Sequence, residues 1–209
     1  MVSIDDAAAG RDATRRRLSP RQAATVARLT EALLAELAAV GYDGLTVRSV
    51  ARRAGVAPAT AYTYFTSKAH LVAEVFWRRL RALPDPELDP SAPAHERVAG
   101  ALRALADHVA AEPALAAAST PALLGPDPDV HHLRDRIGAE VHRRVLAALD
   151  AVGPGPACGA DAADRADLAD AVDLMLAGAL LRAGMGHMAY DALGDRLATL
   201  ARLVIGDRP

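Results

Sequence analysis

Thr60, Tyr62, Thr63 and Tyr64 place four hydroxyls within five positions of the stretch VAPATAYTYFTSKAHL, residues 56–71. Lys68, the only lysine of the 209-residue chain, follows four positions later. Hydroxyls donate to phosphate oxygens or base edges, and an ammonium adds a formal positive charge. Ser67 suits a helix N-cap, where the free N–H groups of the first turn favour an anion. The chemistry on offer is recognition of a polyanion. The competing reading is a small aromatic core. Phe65 has the register of a buried residue, whereas Tyr62 and Tyr64 sit beside that register and carry polar tips. For Lys68 the competing reading is an ordinary solvated lysine.

These side chains need a rigid support, and the flanking residues encode one. Thr46 suits the cap of a short helix, VRSVARRA, which stops at Gly55, a position where a turn requires positive φ. Pro58 opens a second short helix running to about Tyr64. Two short helices joined by a Gly-containing turn are the sequence form of a helix-turn-helix. Val50, Ala54, Val56, Ala61 and Phe65 are spaced to pack the pair together and against a preceding helix. That helix starts with Ser19, Pro20 and Gln22, a capping box, carries the stripe Val26, Leu29, Leu33, Leu37 and Val40, and closes at Gly41. With the packing residues set aside, Thr60, Tyr62, Thr63 and Tyr64 remain with Ala59 on a free surface short enough for a major groove.

Helical periodicity continues downstream with no convincing strand, so the fold class is all-α with about nine helices. Ser67 opens a helix with Leu71, Val75 and Leu80 on one face. LPDPELDPSAP at 83–93 holds four prolines and marks a break. Val98, Leu102, Leu105 and Val109 mark the next helix, and Pro113 starts a shorter one to about Leu124. Leu133, Ile137, Val141, Val145 and Leu149 mark a long helix ending in GPGPACGAD. Two more follow, around Leu168–Ala179 and Leu193–Val204.

Charge is segregated along the chain. Residues 11–82 carry 13 basic and 5 acidic residues, whereas 83–209 carry 11 and 19, although the net charge is only −2. A basic segment of that size suits a polyanionic partner, and a solvated basic face is the plainer alternative. Residues 1–17 lack the apolar run of a secretory signal, and LMLAGALLRAGMG at 174–186 is too short to span a bilayer and contains Arg182. A cytoplasmic, membrane-free protein is expected, and lone Cys158 fits that setting. An enzyme is not: no G-x-S-x-G elbow and no HExxH occurs, and His131-His132 are adjacent rather than at helical metal-ligand spacing.

TVRSVARRAGVAPATAYTYFTSKAHL resembles the DNA-binding signature of the TetR/AcrR family of bacterial transcriptional regulators, over about residues 18–72. The resemblance implies a flexible basic arm at 1–17, whose RDATRRR run either enters a minor groove or makes no fixed contact. A three-helix helix-turn-helix head follows at 18–66, then a connecting helix at 67–82 and a ligand-binding and dimerisation domain at 83–209. It implies Thr46 and Arg48 at the DNA, Ala59, Thr60 and Thr63 facing bases, and Tyr62, Tyr64 and Lys68 on phosphates. Two positions depart from the family pattern. Ala57 stands where a capping Ser is usual, and Ser49 where an acidic partner to Thr46 is common, so that capping box is expected to be absent.

The resemblance further implies a homodimer on a palindromic operator of double-stranded DNA. Leu193, Leu197, Leu200 and Val204, with Gly178, Ala179, Ala183 and Gly186, are the expected interface. An apolar small-molecule effector would be lined by Leu102, Leu105, Val109, Leu123, Val141, Met175 and Leu180, with His108 and His142 as polar contacts. Core packing is the competing role for every apolar member of that set. Effector binding would release a repressor by shifting the dimer population, through the helix that begins at Ser67. No cofactor and no metal are expected. The other class of reading is a helical ligand-binding or scaffold protein whose head has weak or no DNA binding, which Ala57 and Ala59 keep open.

Overall fold

A computed structural model describes residues 19–150 and 162–206. The arm expected at 1–17 and Cys158 lie outside them. Every regular element among the described residues is helical. They are α1 (Pro20–Gly44), α2 (Val47–Arg53), α3 (Pro58–Tyr62), α4 (Lys68–Ala82), α5 (Ala94–Ala110), α6 (Pro113–Leu124), α7 (Pro128–Asp150), α8 (Ala162–Gly184) and α9 (Leu193–Ile205), with a 3-10 turn at Tyr190–Ala192. The chain divides into two compact units, 1–67 and 68–209.

In the first unit the expected capping box forms. Gln22 N donates to Ser19 Oγ at 3.3 Å and Ser19 N donates to Gln22 Oε1 at 2.8 Å. Val26, Leu29, Leu33 and Leu37 are buried as their periodicity demands, but Val40 is 46% exposed. Periodicity marks a face of a helix without saying how far its neighbours extend along it. Gly41 adopts φ 65° and ψ −178°, a combination essentially confined to glycine, and kinks the helix, which then runs on to Gly44. α2 packs on α1 and on α3.

The second unit is built around one apolar cluster that includes Trp77, Leu80, Val98, Leu102, Leu105, Leu133, Val145, Val172, Leu176, Leu193, Leu197 and Ile205. α9 packs along α5, α8 contacts α6, α7 and α9, and α4 contacts α6 and α7. Two buried arginines bind the proline-rich break into this unit. Arg97 donates to the carbonyls of Ala148 (2.9 Å) and Leu149 (3.0 Å), where the end of α7 leaves oxygens unpaired, and to Ala92. Arg144 donates to the carbonyls of Leu83 and Pro84 and, through Nε, to Glu140 at 2.8 Å. Trp77 has the Arg136 guanidinium 4.6 Å and the Arg81 guanidinium 5.7 Å from its ring centre.

The residues expected at a dimer interface separate here. Leu193, Leu197, Ala179 and Ala183 are buried within the single chain, whereas Leu200, Val204, Gly178 and Gly186 are exposed. The first group is committed to the chain's own core, because the apolar surface of α9 is wider than a single stripe. Its inner side comprises Leu193, Leu197, Ala198, Ala201 and Ile205. Leu203 and Leu174, both 75% exposed, are the outward leucines of α9 and α8 that the periodicity left unassigned.

Candidate nucleic-acid interface

The helix-turn-helix is fixed from both ends by local hydrogen bonds. Ser49 N donates to Thr46 Oγ1 at 2.9 Å, and Thr46 N donates to Ser49 Oγ at 3.3 Å. The box expected to be absent is therefore present. A serine hydroxyl accepts the cap N–H as a carboxylate would, without the charge. Val47, Val50 and Ala51 are buried, which turns Arg48, Arg52 and Arg53 outward. Gly55 takes φ 63°, and Val56 N donates back to Ala51 O at 2.9 Å, closing the turn.

α3 has Ala57 at its N-cap with no side-chain bond, and Pro58 in its first turn. The expectation that it reaches Tyr64 is corrected: it ends at Tyr62, because the N–H groups of Tyr64 and Phe65 both turn to the carbonyl of Ala61, each at 3.0 Å. Fully buried Ala61 and Phe65 set its roll angle. Ala59, Thr60, Tyr62 and Thr63 consequently face outward, with Tyr62 half exposed, while Tyr64 is half-buried with its ring tilted against that of Phe65. Thr63 donates its hydroxyl to the carbonyl of Thr60 at 2.7 Å, so that proton is committed within the chain. Thr46 and Arg48 are exposed at the start of α2. Lys68, half-buried, is the first residue of α4 and belongs to the second unit.

Glu36 is a structural residue that the spacing did not reveal. It is 6% exposed on α1 and accepts from Arg53 Nε at 2.6 Å. The hydrogen bond from Arg53, and next the one from the Ser49 hydroxyl, hold its carboxyl below the ordinary glutamate range against the opposing effect of burial. The available signal was a carboxylate adjoining the apolar stripe, between Leu33 and Leu37.

The nine residues expected around an effector have different surroundings. Leu102 and Leu105 are in the core of the second unit, and Leu123, Val141, Met175 and Leu180 pack against it partly buried. His108 and Val109 alone among the nine line a narrow cleft with Phe76, Arg79, Glu112, Leu115 and Ala116, with room for about one water molecule. Burial there pushes the His108 imidazole below its ordinary value. His142 pairs with Asp173 instead.

Residues 29–75 match the model of the bacterial regulatory proteins of the tetR family. An uncharacterized HTH-type transcriptional regulator of Mycobacterium tuberculosis is 45% identical over 187 residues, 88% of this chain and 82% of the relative. This chain belongs to the TetR family. The HTH-type transcriptional repressor KstR of Rhodococcus jostii is 29% identical over 128 residues, 61% of this chain and 60% of that protein. A crystal structure of a TetR transcriptional regulator from Rhodococcus sp. RHA1 shares the fold with a TM-score of 0.69 at 18% identity, covering 89% of this chain and 97% of that one. TetR-family proteins are transcriptional regulators with a DNA-binding helix-turn-helix, not enzymes. Among the described residues no helix is long and apolar enough to cross a membrane.

Proposed function

We propose that the chain is a homodimeric repressor that grips a roughly palindromic operator and lets go when an apolar small molecule enters its second unit. The observation that carries this is the outward set of α3: Ala59, Thr60, Tyr62 and Thr63, presented by a helix whose roll is fixed by buried Ala61 and Phe65. Thr60 donates to a base edge, Ala59 offers a methyl to thymine, and Thr63 accepts rather than donates. Tyr62, Tyr64, Thr46 and Lys68 contact phosphates, and Arg48 reaches backbone or a base edge.

The dimer face is read from α8 and α9. Leu174, Gly178, Leu181 and Met185 follow one another at helical spacing and are all exposed, as are Leu200, Leu203 and Val204. Exposed apolar side chains on two helices that pack together favour a symmetric partner. Two-fold symmetry would set the recognition helices roughly 34 Å apart, one turn of DNA. The repressor KstR supports the direction of regulation. The leucine- and alanine-rich interior of the second unit supports an apolar effector, for which the one-water cleft beside His108 and Val109 would have to open.

The test is a nuclease footprint on the DNA upstream of the protein's own gene. Protection of an inverted repeat, with half-site centres one helical turn or a simple multiple apart, supports the reading. Failure to protect any interval at low salt overturns it. That second result would favour a ligand-binding scaffold with an inactive head, to which the uncapped Ala57 and the methyl-only Ala59 lend support.

A further inference from the structure

His142, Asp170 and Asp173 form a side-chain cluster that neither DNA binding nor dimerisation uses. His142 lies on α7, and the two aspartates lie three residues apart on one face of α8, which packs against α7. Each of the three offers one ligand atom, and these atoms all lie within 4.8 Å of one another. His142 Nδ1 is 2.5 Å from Asp173 Oδ2. The other oxygen of Asp173, Oδ1, is buried with no hydrogen-bond partner. Two carboxylates thus face one imidazole at a partly exposed site, the His142 and Asp173 side chains being 37% and 27% exposed.

An idle buried carboxylate oxygen costs free energy, and two carboxylates beside one imidazole leave negative charge in excess. A dication answers both. We infer that His142, Asp170 and Asp173 bind a divalent first-row transition-metal ion that bridges α7 and α8. Metal–ligand bonds of about 2.0–2.2 Å set neighbouring ligand atoms roughly 3–3.5 Å apart, so the Nδ1–Oδ2 pair opens by about 0.5–1 Å when the ion enters. One nitrogen and two oxygen ligands suit zinc and its neighbours. Magnesium, which demands near-octahedral oxygen coordination, is the poorer guest. Three protein ligands leave a position for water. Asp173 precedes Leu174 on α8, so the ion fastens to α7 the helix that carries part of the exposed apolar face.

The experiment titrates chelator-treated full-length protein with zinc chloride by calorimetry and follows thermal unfolding in parallel. The expected result is saturable binding of one zinc per chain with a raised melting temperature, and a much smaller response to magnesium. Asp170→Asn changes an exposed residue and leaves the fold intact, as circular dichroism would verify. It should weaken zinc binding by at least about tenfold, and His142→Asn should do likewise. Replacing the exposed pair His131 and His132 with asparagine should leave binding unchanged. Absence of saturable zinc binding, equal affinity for magnesium, or affinity that survives Asp170→Asn and falls with His131 and His132 would overturn the assignment.

Discussion

Arg53 donates from Nε to Oε2 of Glu36 at 2.6 Å, joining the first helix of the helix-turn-helix to the helix that supports it. The Arg53 side chain is 42% exposed and that of Glu36 only 9%. The two partners are therefore unequal. Removing the arginine strands a buried carboxylate, whereas neutralising the carboxylate leaves a guanidinium already in contact with water.

Arg53→Ala should accordingly destabilise the head by about 1–3 kcal/mol, and Glu36→Gln by less, about 1 kcal/mol. Chemical denaturation of each variant at neutral pH checks the order. Folding holds the Glu36 carboxyl below its ordinary value, so its contribution is complete above the ordinary glutamate range. It fades as pH falls through the lower, folded value. Wild type should lose stability on acidification more steeply than Glu36→Gln, and a parallel loss would remove Glu36 from the explanation.

Ala57 leaves the first N–H groups of α3 without a side-chain acceptor, at φ −60° and ψ 134°, a conformation that serine adopts freely. Ala57→Ser should raise the stability of the head by about 1 kcal/mol. A thermal melt of the two proteins side by side measures it, and an unchanged or lowered midpoint would show that α3 is already satisfied by other means.

The head was largely legible in the sequence because its signals are local. Ser19 with Gln22, the glycines at 41 and 55, and Pro58 each act within four residues. Buried Phe65 and Ala61 follow from helical register. The Ser49 box departs from expectation because the family pattern supplies a carboxylate there, while the geometry asks only for an acceptor. Glu36 and Arg53 stand 17 residues apart, so no short window relates them. The same limit governs the second unit. Periodicity found the helices but not which side of α9 faces inward. That depends on α5, and it sent Leu193 and Leu197 into the core while leaving Leu203 outside.

α9 therefore offers a clean contrast. Leu203→Glu should shift the protein toward monomer in sedimentation velocity while the isolated chain keeps its helical signal. Leu197→Ala removes a fully buried side chain and should cost about 2–5 kcal/mol of stability without abolishing self-association of the folded protein. A Leu203→Glu protein that still sediments as a dimer would place the interface elsewhere.

DNA binding is proposed to rest on hydroxyls of the head and on Lys68, the first residue of α4, against phosphates. It is tested most directly by fluorescence anisotropy on the upstream DNA across a range of salt concentrations. Wild type should bind with an affinity that falls steeply as salt rises. Lys68→Ala should bind more weakly on every sequence tried, with its salt slope shallower by about one. Tyr62→Phe should weaken binding with a smaller change in slope. Wild-type protein that fails to bind at low salt, or folded Lys68→Ala with unaltered affinity and slope, would contradict the account.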